Sequence, residues 1–354
     1  MFLVHALPAD HGDCLWIEYG RAADPRRILI DGGTARTFPR LRAHIADLPR
    51  SRRCFELLIV SHIDNDHIDG ILDLLADRSL GVTFGDVWFN GYHHTAPLPR
   101  RRPGVLGPAQ GERLSALLGR SSTPWNRAFA GASVVVPATG PLPVVTVAGG
   151  LRLTLLSPTW AELATLRRRW QQVLAEVGWR AGWPEPARLR RGLLGSPSVA
   201  RLAAAPFTAD NAVANGSSIA VLAEYAGRRC LLAADAFASV LADGLRRLAS
   251  ERRRTTIDVD LCKLPHHGSR KNLDRGLLAR MRCFNYLIST DGSRYGHPDP
   301  EALARVVTDG RTWPTLFFNY RSAANRRWSN ARLQATHGFT SEYPAGDDGI
   351  CVAL

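Results

Sequence analysis

The segment Ser61-His62-Ile63-Asp64-Asn65-Asp66-His67-Ile68-Asp69-Gly70 gathers two imidazoles and two carboxylates into six consecutive positions. It follows the apolar run Phe55-Glu56-Leu57-Leu58-Ile59-Val60, so it reads as the turn from a buried strand into a helix. On such a turn His62 and Asp64 reach one metal ion, while Asp66 and His67, at the start of the helix, reach a second. Imidazole with carboxylate suits zinc or manganese. The plainer alternative is a polar turn in which Asp66 caps the helix and both histidines are idle. Two His and two Asp interleaved directly after a buried strand argue against it.

The elements needed to position these groups can be read on both sides. Strands are expected at Phe2–Leu7, Asp13–Tyr19 and Arg27–Asp31, a helix at 38–48, the buried strand at Phe55–Val60, a helix at 66–76 and a strand at Val82–Phe89. A β-rich opening that passes into strand–helix units argues for sheets covered by helices. Further strands are expected at 132–136, 144–147 and 151–156. Thr159 with Glu162 three residues on then opens a helix in the capping-box pattern. Ser218–Tyr225 and Arg229–Ala233 form a hairpin around Ala226-Gly227, after which helices and strands alternate. Asp235 ends one of these strands; His266 lies thirty-one positions further on, and His297 another thirty-one. Each interval accommodates one helix and one strand, which sets the three side chains at equivalent ends of successive strands. A two-ion site needs its ligands gathered at one sheet edge in this way.

His62-x-Asp64-x-Asp66-His67 resembles the His-x-His-x-Asp-His signature of the metallo-β-lactamase superfamily, with aspartate in place of the second histidine. In that respect it is similar to the hydrolase domain of the DNA-uptake competence channel and to phosphorylcholine esterase. Gly12-Asp13-Cys14, Ile30-Asp31-Gly32-Gly33, Asn215-Gly216-Ser217-Ser218, Leu231 to Asp235, Leu264-Pro265-His266-His267-Gly268-Ser269 and Tyr295-Gly296-His297-Pro298 resemble further motifs of that group, in its order. Ala234 stands where glycine is usual. The resemblance implies an α/β fold, an αββα sandwich over residues 1–354 with a helical insertion at about 159–214. It implies two divalent ions, Zn²⁺ or Mn²⁺, held by His62, Asp64, Asp66, His67, Asp235, His266 and His297. Asp235 would bridge the ions, Asp31 and Asn215 would brace the ligands from behind, and Asp66 and His267 would take part in catalysis. The separate histidine usual between the first motif and the bridging aspartate has no counterpart, and the resemblance implies that His266 takes its place. His267 stays open between a supporting or catalytic role and a ligand role.

Composition limits the partners. The chain of 354 residues is 45% hydrophobic and has a net charge of +13, with Lys263 and Lys271 its only lysines. A basic surface attracts polyanions, nucleic acid above all, although a GC-rich coding sequence produces the same arginine bias. No run of 18 apolar residues occurs, and the apolar N-terminus lacks a basic flank, so a soluble cytoplasmic protein without a membrane partner is expected. The six scattered cysteines fit reduced thiols. Residues 160–205 hold eight arginines against three glutamates, interleaved with Trp170, Trp179 and Trp183. Arg188, Arg190 and Arg191 are the substrate-binding candidates there, as one wall of a nucleic-acid groove. His93 and His94 are divided between site lining and plain loop, and His11 is read as supporting the Gly-Asp turn. The expected function is metal-dependent hydrolysis of a phosphodiester, nucleic acid first, through a water that two metals activate. The alternatives are a small phosphodiester or cyclic nucleotide, a lactone or amide, or a metal-stabilised scaffold.

Overall fold

The computed structural model describes residues 1–95, 109–180, 197–310 and 313–354, and two large sheets carry its architecture. The first sheet has the strand order Ile350–Ala353, Phe2–Ala6, Leu15–Arg21, Asp24–Ile30, Leu57–Ile59, Val87–Trp88. Its first four strands pair antiparallel, and the pairing turns parallel from Asp24–Ile30 onward. The second sheet runs Thr340–Glu342, Thr315–Phe318, Asn285–Ile288, Leu261–Lys263, Arg228–Leu232, Ala220–Tyr225, Arg152–Ser157, Val144–Thr146. Its first five strands are parallel, and the rest are antiparallel.

The two-residue period of a strand explains how the layers stack. Leu57 and Ile59 join the core shared with the second sheet, alongside Val4, Ile17, Leu155, Val221 and Leu231. Their neighbours Leu58 and Val60 face the other way, into a core with Leu41 and Ile45 of helix Phe38–Ala46 and with Ile68 and Ile71 of helix Asn65–Ala76. The run reads as unbroken apolar sequence because both faces are covered. Helices Ala238–Glu251 and Pro300–Asp309 cover the second sheet with Leu241, Leu245, Leu303 and Val306. The result is the expected αββα sandwich. Among the described residues, no helix is long and apolar enough to cross a membrane, and all six cysteines are unpaired, four of them buried.

Several expected elements are shorter than the sequence suggests. Phe55–Val60 and Val82–Phe89 each split: Cys54–Phe55 pairs with Thr83–Phe84 in a small ribbon, and Leu57–Ile59 and Val87–Trp88 enter the main sheet. Both break at the same level, where Gly85 passes close against the backbone of Glu56. Residues 132–136 form no sheet strand, because the Asn90 side chain takes up both backbone groups of Val134. The hairpin turns at Ala226 (φ +48°) and Gly227 (φ +82°), a pair of left-handed residues that matches the strand twist. Thr159 opens helix Trp160–Arg180 as expected, with its amide donating to Glu162 Oε2 at 3.1 Å. Of the expected insertion, residues 181–196 lie outside the described residues, Arg188, Arg190, Arg191 and Trp183 among them. The flanks join the body of the protein: Trp170 is fully buried against Tyr92, as helix core, and Arg305 of helix Pro300–Asp309 donates to the Ala205 carbonyl at 3.0 Å.

One close approach fixes the His62–His67 turn against its neighbouring strand. Gly32 N donates to His67 O at 2.8 Å, and Gly70 N donates to Gly33 O at 3.1 Å. The end of the strand and the first turn of the helix therefore meet backbone to backbone. A Cβ on Gly70 would lie 2.0 Å from the Gly32 carbonyl oxygen, a contact that only backbone movement relieves. Gly70→Ala is therefore expected to destabilise the protein by at least about 2 kcal/mol in urea unfolding. A change below about 0.5 kcal/mol, the range of an ordinary surface substitution, would refute this account of the turn.

Candidate metal centre

The ligand-type side chains meet at one edge of the sandwich. His62, Asp64, Asp66 and His67 come from the turn between strand Leu57–Ile59 and helix Asn65–Ala76. Asp235 follows strand Arg228–Leu232, His266 and His267 follow Leu261–Lys263, and His297 lies beyond Asn285–Ile288, three neighbouring parallel strands of the second sheet. His266 and His267 have φ values of +47° and +54°. Adjacent residues of an extended strand point to opposite sides; two consecutive left-handed residues instead let both rings face Asp235. Such backbone is costly for residues with a Cβ and tends to mark functional sites.

Asp235 Oδ2 is the hub. It lies 3.5 Å from His67 Nε2, 3.5 Å from His267 Nε2, 3.7 Å from His266 Nε2 and 4.0 Å from His62 Nε2. His62 Nε2 is 3.6 Å from Asp64 Oδ2, and His267 Nε2 is 3.7 Å from Asp66 Oδ2. Two of the resulting groups, His62–His67–Asp235 and Asp66–His67–His267, have all ligand atoms within 4.8 Å of one another, close enough to hold a metal ion. Asp64, His266 and His297 stand outside these groups. The His297 ring centroid is 5.2 Å from that of His266, and its Nδ1 is 3.5 Å from Asp299 Oδ2.

The imidazoles are held from behind by their other nitrogen. His67 Nδ1 is 2.8 Å from Asp31 Oδ2, His267 Nδ1 is 2.9 Å from the Ser289 carbonyl, and His62 Nδ1 is 3.0 Å from Ser61 Oγ. Asp31 also accepts from the amide and the hydroxyl of Ser61, both at 2.7 Å. His266 Nδ1 is 2.9 Å from Asn272 Oδ1 and 3.2 Å from Asn215 Nδ2. The opposite atoms, Nε2 of His62, His67 and His267, are buried without a hydrogen-bond partner, as is Asp235 Oδ1. Buried polar atoms are rarely left unsatisfied. An imidazole anchored at Nδ1 with a free, converging Nε2 is the arrangement of a metal ligand, so these residues fit divalent cations.

The electrostatics are those of carboxylates forced together out of water. Burial alone would raise the Asp235 carboxyl, but His267, His67 and His266 hold it well below its ordinary range. Burial likewise opposes charge on His267, but Asp235 and Asp13 override it and raise the imidazole from 6.5 to about 9. His67 is raised for the same reason, by Asp235 and Asp31. Without a metal, protons on the imidazoles supply the compensating charge.

Several participants were not singled out as site residues in the sequence. Asp210 Oδ2 lies 3.4 Å from His266 Nδ1 and accepts from Asn215 at 2.7 Å and Asn272 at 3.1 Å. Burial raises its carboxyl, but the contacts with His266 and Asn215 bring it down to about 2. Asp13 and Lys263, both buried, form an ion pair beneath His267. The only local signal for Lys263 was its rarity. His11 Nε2 lies 4.0 Å from Asp66 Oδ2, nearer the centre than a turn-supporting role requires. His93 and His94 instead pack on Trp125 from the 3-10 turn Tyr92–Thr95.

No protein-family model and no curated protein matches the sequence. Among solved structures the chain is similar to the metallo-β-lactamase fold protein YhfI from Bacillus subtilis, at 12% identity over 99% of this chain and 98% of that one, with a TM-score of 0.44. Human tRNase Z, short form, aligns at 12% identity over 100% of this chain and 99% of that one, with a TM-score of 0.40. CmlA, a diiron β-hydroxylase from Streptomyces venezuelae, aligns at 13% identity over 100% of this chain and 54% of that one, with a TM-score of 0.43. The chain therefore spans about half the length of CmlA. At these identities chemistry has to be argued from the site itself.

The raised His267 has a definite pH signature. A group whose folded pKa exceeds its unfolded value contributes stability that is complete below the unfolded value and is lost as pH rises through the folded one. Metal-free protein is therefore expected to lose thermal stability between about pH 6.5 and 9. Metal ligation needs neutral imidazoles, so binding should release protons across the same window. Calorimetric titration in buffers of different ionisation enthalpy measures that release. Metal binding at pH 7.5 without proton release would contradict the charge balance described here.

Proposed function

We propose that the chain is a metal-dependent phosphodiester hydrolase with nucleic acid as its first substrate class. The observation that carries the reading is the convergence of three partnerless Nε2 atoms on Asp235. One ion position is assigned to His62, Asp64 and His266 and the other to Asp66, His67 and His267, with Asp235 between them. Zinc and manganese both suit this thiolate-free set. Divalent ions there supply Lewis acidity and a means of activating water near neutral pH.

The chain's own residues supply orientation and proton transfer. Asp31 keeps His67 in one tautomer, and Asn272 Oδ1, accepting from Nδ1, does the same for His266. His267 is fully buried, with Nδ1 committed to Ser289, which suits a ligand better than a proton shuttle. His297 lies beside His266 and retains some exposure, so it is assigned the donation of a proton to the leaving oxygen. The phosphodiester preference draws on the +13 charge and on the resemblance of the first motif to phosphodiester-cleaving relatives. Arg188, Arg190 and Arg191 remain its proposed nucleic-acid wall.

A second reading, hydrolysis of a small phosphodiester or cyclic nucleotide, is favoured by one feature. A pocket of about 350 Å³ lies beside the centre, lined in part by Arg169, Asp210, Val213 and Phe237. That is the size of a small-molecule site; Arg169 suits a phosphate and Phe237 a stacked base.

Protein loaded with Mn²⁺ or Zn²⁺ is to be assayed on bis-p-nitrophenyl phosphate, cyclic nucleotides, and single- and double-stranded DNA. Asp235→Asn should abolish every activity. His297→Ala should lower DNA cleavage by about 10²–10⁴-fold but affect bis-p-nitrophenyl phosphate far less, because p-nitrophenolate leaves without protonation. Turnover of cyclic nucleotide without DNA would favour the pocket. A loaded protein inert on all of these phosphodiesters but active on a lactone or amide would overturn the reading.

A further inference from the structure

Among the described residues, Lys263 is the most buried cation that the proposed chemistry does not use. It is 0% exposed and its partner Asp13 is 1% exposed. Burying an ammonium is unfavourable unless it is paired, and this one is paired across the two sheets. Lys263 ends strand Leu261–Lys263 of the second sheet, and Asp13 stands just before strand Leu15–Arg21 of the first. Besides Asp13, the ammonium lies 3.4 Å from the Ala234 carbonyl, one residue before Asp235. Composition sharpens the point. Lys263 and Lys271 are the only lysines among 45 cationic side chains, and Lys271 is exposed. Where arginine is the default cation, a lysine kept at a buried strand end points to a place that takes a compact ammonium and not a guanidinium.

Asp13 explains what the ammonium is for. Its Oδ1 lies 3.4 Å from His267 Nδ1. Its carboxylate also lies within 4.8 Å of the ligand atoms of Asp31 and His67 on one side, and of Asp235 and His267 on the other. A carboxylate so placed is a potential extra ligand for a metal in either position. We infer that Lys263 is a positioning residue of the metal centre: by engaging Asp13 it keeps that carboxylate behind His267, where its charge supports the Nδ1–H that Ser289 holds, and out of the coordination positions. The inference rests on the reading of His267 as a ligand of the second ion.

The test uses the full chain loaded with Mn²⁺. Lys263→Met leaves a buried carboxylate unpaired and risks misfolding, so the principal variant is Lys263→Met with Asp13→Asn, which removes both charges at nearly constant volume. Replacing a buried ion pair by neutral groups is often tolerated. Metal titration calorimetry of the folded double variant should show the first ion bound as in the parent and the second weakened by about 10–100-fold. The exchange-coupled two-manganese signal of the parent in electron paramagnetic resonance should give way to that of isolated Mn²⁺. A purely structural ion pair would lower the melting temperature without separating the two ions. Added to His267→Ala, the double substitution should weaken metal binding no further, since both act through one imidazole. Parental affinity for both ions in the folded double variant, or full additivity with His267→Ala, would overturn the inference. Failure of the parent to bind a pair of ions would overturn the reading of the centre and this inference with it.

Discussion

Four buried carboxylates crowd one edge of this sandwich: Asp13, Asp31, Asp66 and Asp235. Like charges held together away from water are strongly unfavourable unless cations accompany them. Each feature of the site answers that constraint. Asp31 is used up by Ser61 and His67, Asp13 by Lys263, and the remaining pair, Asp66 and Asp235, faces the free Nε2 atoms of His67 and His267. In the absence of metal the imidazoles take up protons, hence the raised His67 and His267. Divalent ions would replace those protons while Lys263 remains as the permanent cation.

The sandwich is arranged to tolerate this cluster. The ligands sit on turns at strand ends or in the first turn of the following helix, where backbone groups can be spared from the ladders, above buried apolar residues such as Leu57, Ile59, Leu231, Leu232, Leu287 and Ile288. The turns carry the strain. Asp31, Ala234, His266 and His267 all have positive φ, a region disfavoured for residues with a Cβ. At Ala234, with φ +46°, the resemblance had led one to expect glycine. The backbone there does adopt the conformation glycine favours, so the alanine is held by its surroundings and not by its own preference.

Much of this was legible in the sequence, for identifiable reasons. The His62–His67 segment was readable because its ligands are contiguous and follow a run apolar on both faces. Asp235, His266 and His297 were readable from their even spacing, and the three do follow neighbouring parallel strands. That spacing could not reveal that His267 turns inward as well, because its direction depends on two left-handed residues and φ leaves no mark in composition. Asp210 and Asn272 were invisible for a related reason, since Asp210 reaches His266 from a separate loop and Asn272 folds back on it from six residues further on. The split of Phe55–Val60 and the loss of the strand at 132–136 came from tertiary hydrogen bonds that propensity does not contain. Trp170, interleaved with arginines in the sequence, is fully buried as helix core.

The central claim is that these side chains hold two ions with Asp235 between them. Crystals grown with Mn²⁺ and examined by anomalous scattering test it directly. The account predicts two peaks roughly 3–4 Å apart, one against His62, Asp64 and His266 and the other against Asp66, His67 and His267, with Asp235 touching both. A fully loaded crystal with a single peak, or with the ions bound away from Asp235, would contradict it.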